Sequence, residues 1–199
     1  MAKLIAITGG SCSGKTTLAH ALARALRNAV VIAEDDYYVC SSAIPNFDAG
    51  AYNFDVPEAK DHALLRAHLA MARAGHPFDK PLYDFATHRR KAETEHIAPA
   101  DFVIVEGMHL LVSAELRAMF DLAIFIDAST AIRRARRLAR DIEGRQRTRA
   151  SIEAQFDGHV EPMHELHVAP ERQYAALVLD DVGEAGVRVA LNRVAALGA

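Results

Sequence analysis

Gly9-Gly10-Ser11-Cys12-Ser13-Gly14-Lys15-Thr16 has the spacing G-x4-G-K-[ST]. Glycines there let backbone N–H groups wrap an anion without side-chain obstruction. A helix opening at the end of the run adds unpaired donors and partial positive charge. Lys15 would reach the β- and γ-phosphates of a nucleotide, and the Thr16 hydroxyl would ligate Mg²⁺. Two acidic positions suit the same chemistry. Glu106 follows the apolar run Phe102–Val105 and precedes Gly107, a place from which it would support the metal or orient its water. Glu34-Asp35-Asp36 ends the apolar run Val30–Ala33. A carboxylate there could take the proton of an attacking hydroxyl and help to hold Mg²⁺. Switch GTPases and motor ATPases share such loops, so the loop alone does not name a reaction.

These residues need elements to hold them. Lys3–Thr8, Val30–Ala33, Phe102–Val105 and Leu122–Asp127 are short runs rich in Val, Ile, Leu or Phe, and Ala176–Leu179 is a weaker fifth. They lack strict alternation, the pattern of strands covered on both faces. Leu18, Leu22, Ala25 and Leu26 form a helical stripe after the first run. Leu64, Leu65, Leu69 and Ala72 form a second, and Ile132, Ala135, Leu138, Ala139 and Ile142 a third. A last packing helix is expected over Val187–Leu197. Strands alternating with helices predict a doubly wound α/β sheet, with ligands beyond the carboxyl ends of its strands. The acidic second strand is expected beside the first. Tyr37–Pro99 holds one clear helix and five of the seven prolines, an irregular excursion of the functional or flexible kind.

The 199 residues, 51% hydrophobic and 25% charged, suit one domain of an ordinary globular protein. A net charge of −3 gives no global basic field for nucleic acid, and no apolar run approaches a membrane span. The N-terminus carries no signal-peptide pattern, and two cysteines outside any CxxC pair suit a reduced, cytoplasmic chain. A homo-oligomer is compatible with all of this. His159, His164 and His167 lack three-ligand metal spacing, and Cys12 needs only to be small in a loop that works through its backbone.

Eight arginines lie between Arg133 and Arg149, with Arg133, Arg137 and Arg140 on one helical face. A solvated basic face and a nucleic-acid patch are the alternatives; no aromatic residue interleaves the run, and the chain as a whole is acidic. Phosphoryl transfer needs positive charge on the migrating group, which makes a lid over a triphosphate the stronger reading. Closure would also keep water from the γ-phosphate.

Taken together, these segments resemble the uridine kinase family of P-loop kinases. The resemblance is carried by Gly-Gly-Ser-Cys-Ser-Gly-Lys-Thr-Thr at 9–17, Glu-Asp-Asp-Tyr-Tyr at 34–38 and Tyr-Asn-Phe-Asp-Val-Pro at 52–57. It continues through Pro-Leu-Tyr-Asp-Phe-Ala-Thr-His-Arg at 81–89, Val-Glu-Gly at 105–107, the arginine run 133–147 and Pro-Met-His-Glu at 162–165. It implies a single P-loop kinase domain over 1–199, of α/β class. A five-stranded, mainly parallel sheet would be flanked by helices, with a substrate-binding insertion at 37–99 and a lid at 133–150. It implies transfer of the ATP γ-phosphoryl group to the 5′-hydroxyl of uridine or cytidine.

By position, Gly9, Gly10, Ser11, Cys12, Ser13, Gly14, Lys15, Thr16 and Thr17 would hold ATP, and Thr16, Asp35 and Glu106 the Mg²⁺. Asp35 would be the general base, assisted by Lys15 and Arg140. Asp55 would grip ribose hydroxyls. Tyr83 and His88 would recognise the base, with Tyr38, Phe54 and Phe85 as walls. Arg140 and Arg145 would face phosphates, and Arg137, Arg147 and Gln155 the nucleoside or its reacting end; Arg134 and Arg149 would be surface charges. The chain departs from the family pattern at Val39, where a basic residue is usual, and at Val56, where His is usual. Gly144-Arg145-Gln146-Arg147 replaces Glu-Arg-Gly-Arg, and Asp180-Asp181-Val182-Gly183 replaces a Pro-x-Gly loop. These changes touch the acceptor pocket and the nucleotide-base side. Nicotinamide riboside, another hydroxylated metabolite, is the alternative acceptor, and a nucleotide-dependent switch the alternative class.

Overall fold

The computed structural model describes residues 1–145 and 147–197. Five parallel strands form the sheet: β1 (Lys3–Gly9), β2 (Ala29–Ala33), β5 (Phe102–Glu106), β6 (Leu122–Ile126) and β7 (Leu177–Leu179). Their order is β2-β5-β1-β6-β7. Alternate residues of β1 serve opposite faces. Leu4 and Ala6 pack with Leu65, Leu69 and Ala72 of α2 (His62–Ala74), whereas Ile5 and Ile7 pack with Leu18, Ala19 and Leu22 of α1 (Lys15–Ala25) and Ala190 and Val194 of α7 (Glu184–Ala195). Cover on both faces is why these runs are continuously apolar rather than alternating.

Two expectations change. The acidic strand β2 does not lie beside β1, because β5 pairs with both. Val103, Ile104 and Val105 of β5 are buried, while most of β2 is half-buried, as suits an interior strand and an edge strand. The exchange brings Glu106 level with Ala33, next to the acidic turn. The arginine helix α4 (Thr130–Arg145) forms, but its apolar stripe faces out: Ile132 and Ile142 are 43% exposed, and Arg133 is 1% exposed. The inward face meets polar groups that match guanidinium. Arg133 donates to Ala128 O and to both carboxylate oxygens of Glu161, and a Cβ on Gly10 would lie only 2.7 Å from Arg133 Cδ.

The excursion after β2 is more regular than its prolines suggest. Besides α2 it carries 3₁₀ turns at Ser41–Ala43 and Pro57–Ala59 and an antiparallel hairpin of β3 (Phe78–Asp84) and β4 (Arg89–Ile97). Beyond β5 come α3 (Ala114–Arg117), then α4, then α5 (Arg149–Gln155), which runs on through wide helical turns around α6 (Glu161–Met163). No described helix is long and apolar enough to cross a membrane.

Candidate active site

The phosphate loop joins β1 to α1. Gly9 and Gly14 have φ of 141° and 111°, and a Cβ on Gly9 would lie 2.6 Å from Ile126 O, so glycine is needed there. Cys12 is also left-handed, at φ 62°. Lys15 folds back across the loop, its Nζ 2.9 Å from Gly10 O. Thr16 Oγ1 donates to Glu106 Oε1 over 2.9 Å. Burial pushes the Glu106 carboxyl up, against the pull of Lys15 and the Thr16 hydrogen bond.

Among the described residues, no group of three His, Cys, Asp or Glu side chains could hold a metal ion by itself. Mg²⁺ needs no such cage, since it keeps waters and takes one or two protein oxygens plus phosphate oxygens. The Thr16 hydroxyl and the Glu106 and Asp35 carboxylates, all lining one cavity, are a hard-oxygen set of that kind.

The three acids after β2 diverge. Glu34 turns inward, accepting from Met108 N (2.8 Å), His109 N (3.2 Å) and His62 Nε2 (2.7 Å). Burial opposes its charge, but His62 and Lys60 prevail and hold the carboxyl well below the usual range. A Cβ on Gly107 would collide with this side chain, which accounts for the glycine of Val-Glu-Gly. Asp36 turns to the hairpin and pairs with Lys80, which also meets Glu95 at 3.1 Å. Asp35 alone faces the cavity. Its side chain is 53% exposed, and its Oδ1 pairs with the wholly buried Lys60.

Next to Asp35 stands a cluster of rings. Tyr38 lies 5.1 Å from Tyr83 and 5.9 Å from Phe54, and Phe54 stacks on His88 at 4.8 Å. Phe85, 52% exposed, closes on Tyr83 at 5.3 Å. Among the described residues the Tyr83 hydroxyl is buried without a partner, and burial pushes it up to about 12. Burial also raises the Asp55 carboxyl, with Arg137 and Lys60 pulling the other way.

From the other side comes α4. Arg137 donates through Nη1 to Ser11 Oγ and through Nη2 to Gln155 Oε1, both at 3.0 Å. Arg147 Nη1 donates to the same Gln155 oxygen at 2.6 Å. The buried carboxylate of Asp141 lies 2.8 Å from Arg140 Nε, 3.6 Å from Arg137 Nε and 3.8 Å from Arg147 Nη1. Arg134 and Arg149 pair with Asp157 and Glu153 at the surface.

One cavity of about 1140 Å³ joins these groups. Ser11, Cys12, Gly14, Lys15, Thr16 and Thr17 line it, as do Asp35, Tyr38, Phe54, Asp55, Tyr83, Phe85, His88 and Glu106. Arg137, Arg140, Arg147 and Gln155 complete the expected set. Gly9, Gly10 and Ser13 are buried and do not line it. Arg145 ends α4, and its side chain, like Gln146, lies outside the described residues.

Sequence reasoning missed four contributors. Tyr52 lines the cavity and meets Phe54 at 4.8 Å. Phe47 packs behind, 5.7 Å from His88. Arg136 holds Ser13 O at 2.8 Å, and Lys60 holds Asp35. The aromatic density of 47–54 was a usable signal; nothing local marked Lys60.

The uridine kinase of Lactobacillus helveticus is 35% identical over 189 residues, 94% of this chain and 90% of that one. The uridine kinase of Brevibacillus brevis is 38% identical over 182 residues, 90% of this chain and 85% of that one. At the level of fold alone, the phosphoribulokinase of Rhodobacter spheroides superimposes with a TM-score of 0.63 at 17% identity, covering 87% of this chain and 68% of that one. The sequence profile of the phosphoribulokinase/uridine kinase family matches residues 4–188, and the chain belongs to that family.

Proposed function

We propose that this protein transfers the γ-phosphoryl group of ATP to the 5′-hydroxyl of uridine or cytidine, giving the nucleoside monophosphate. One observation carries the reading: the Asp35 carboxylate and the phosphate loop face a common cavity that also holds an aromatic pocket.

The phosphate loop and Lys15 bind the triphosphate at the N-terminus of α1. Thr16, with Glu106 and Asp35 in support, would hold Mg²⁺, which would supply neutralisation of the triphosphate charge. Asp55 accepts the ribose hydroxyls, and a carboxylate so placed rejects acceptors that lack them. Tyr38, Phe54 and Phe85 stack on the base, while the Tyr83 hydroxyl and His88 take its polar edge. Asp35 accepts the 5′-hydroxyl proton as the oxygen attacks in line. Arg140 stabilises charge on the migrating phosphoryl group, and Arg137, Arg147 and Gln155 close over the acceptor. Closure keeps water out, so that ATP is spent on the nucleoside.

Cys12 and Cys40 are unbridged, which suits a reducing compartment such as the cytoplasm. The test is ADP release with a panel of acceptors. Turnover with uridine or cytidine, and little without acceptor, is expected. Failure with both, alongside good turnover of nicotinamide riboside or another alcohol, would move the substrate; acceptor-independent behaviour would favour a switch.

A further inference from the structure

Lys60 stands at the centre of the acidic turn. Its backbone pairs with Tyr38 in an isolated antiparallel bridge, and its Nζ lies 3.1 Å from the centroid of the Tyr38 ring before ending on Asp35 Oδ1. The charge also bears on Glu34 and Asp55. Taking an ammonium out of water costs several kcal/mol, about what a good partner returns. An apolar side chain would fill the same space without that cost, so the charge calls for an explanation.

We propose that Lys60 is the positioning residue for the phosphoryl transfer: it pins one oxygen of Asp35 so that the other faces the acceptor hydroxyl. The proposal rests on Asp35 being the base. A carboxylate at the rim of a cavity turns about two torsions unless something holds it. Phosphoryl transfer leaves the protein little covalent chemistry, so placement is one of its main levers, and a misplacement of about 1 Å can cost about 10²-fold in rate. Lys60 exchanges no proton. The hydroxyl proton goes to Asp35, and Lys60 stays an ammonium beside the newly neutral acid. It also balances a floor on which Glu34, Asp35 and Asp55 would otherwise add their charge to that of a triphosphate.

Lys60 further lines a second cavity, of about 570 Å³, with Val39, Asp61, His62, Ser113 and His167, none of which lines the first. Truncation of Lys60 to Ala would vacate the volume of a propylammonium beside Asp35, which a small amine can refill.

The test compares K60Q, K60A, K60R, D35N and D35N/K60Q. K60Q should lower kcat about 10- to 100-fold with KM for ATP within about twofold, and it should cost nothing further in the D35N background. K60R should retain more turnover than K60Q. Propylammonium should restore part of the K60A rate, and propanol none. K60Q within about twofold of the parent kcat, or an equal loss with and without Asp35, would overturn the proposal. So would K60Q and K60R both too unstable to assay, which would make Lys60 structural. D35N with undiminished turnover would instead remove the base assignment; D35N inactive beside a fully active K60Q would sink the Lys60 proposal alone.

Discussion

Ser11 Oγ accepts a hydrogen bond from Arg137 Nη1 at 3.0 Å, joining the phosphate loop directly to the arginine helix. Through its other nitrogen Arg137 holds Gln155, and its charge reaches Asp55. Arg137→Ala should therefore damage both substrates' sites together. We expect kcat to fall by about 10² or more, with KM for the nucleoside rising. Arg137→Lys should recover little, because one ammonium cannot serve Ser11 and Gln155 in fork geometry. Steady-state kinetics with each substrate varied in turn checks this.

Asp35→Asn should lower turnover by about 10² to 10⁴-fold while ATP affinity changes by less than about threefold. Nucleotide titration beside the rate assay separates the two. An unchanged turnover number would remove Asp35 from the base role.

The unpartnered hydroxyl of Tyr83 makes a prediction with opposite signs for stability and binding. Tyr83→Phe keeps the ring and removes an unsatisfied buried group, so the melting temperature should hold or rise. KM for uridine should rise by about tenfold, since the lost hydrogen bond is worth about 1 kcal/mol or slightly more. A fall in melting temperature without a change in KM would place the hydroxyl outside substrate recognition.

Gly107→Ala should act on Glu34. The added Cβ collides with a buried carboxylate that holds two backbone N–H groups and His62. Dislodging a buried, fully bonded charge costs about 3–5 kcal/mol, enough to lower the denaturant midpoint sharply.

His109 gives a pH signature. Burial depresses its folded-state value from 6.5 to about 4. Between those values the unfolded chain takes up a proton that the folded chain refuses, so stability falls as pH drops through this window. Burial raises the Glu171 carboxyl and gives the opposite slope, so the comparison must be with a variant. His109→Gln should remove up to about 1.4 kcal/mol per pH unit of that dependence, read from denaturant unfolding between about pH 4 and 6.5.

What the sequence revealed, and what it hid, follows from locality. The phosphate loop, the five strands and Asp35 are short patterns whose meaning sits within a few neighbouring residues. The place of β5 between β2 and β1 is decided by competition for the sheet interior, which compares distant segments. The hairpin was hidden because β4, Arg-Arg-Lys-Ala-Glu-Thr-Glu-His-Ile, is nearly all exposed and β3 contains Pro81. The inverted face of α4 was hidden because its partners, Glu161, Ser11 and Gln155, are polar groups brought from elsewhere. Lys60 meets Asp35 only because the 3₁₀ turn at Pro57–Ala59 returns the chain to Tyr38.

The outward-turned Ile132 and Ile142 bear on how the cleft empties. If that helix lifts as a lid, its guanidinium groups and their carboxylate partners would become wet, whereas Ile132 and Ile142 are exposed already. Departure should thus carry a small heat-capacity change, and ionic strength, more than temperature, should govern its ease.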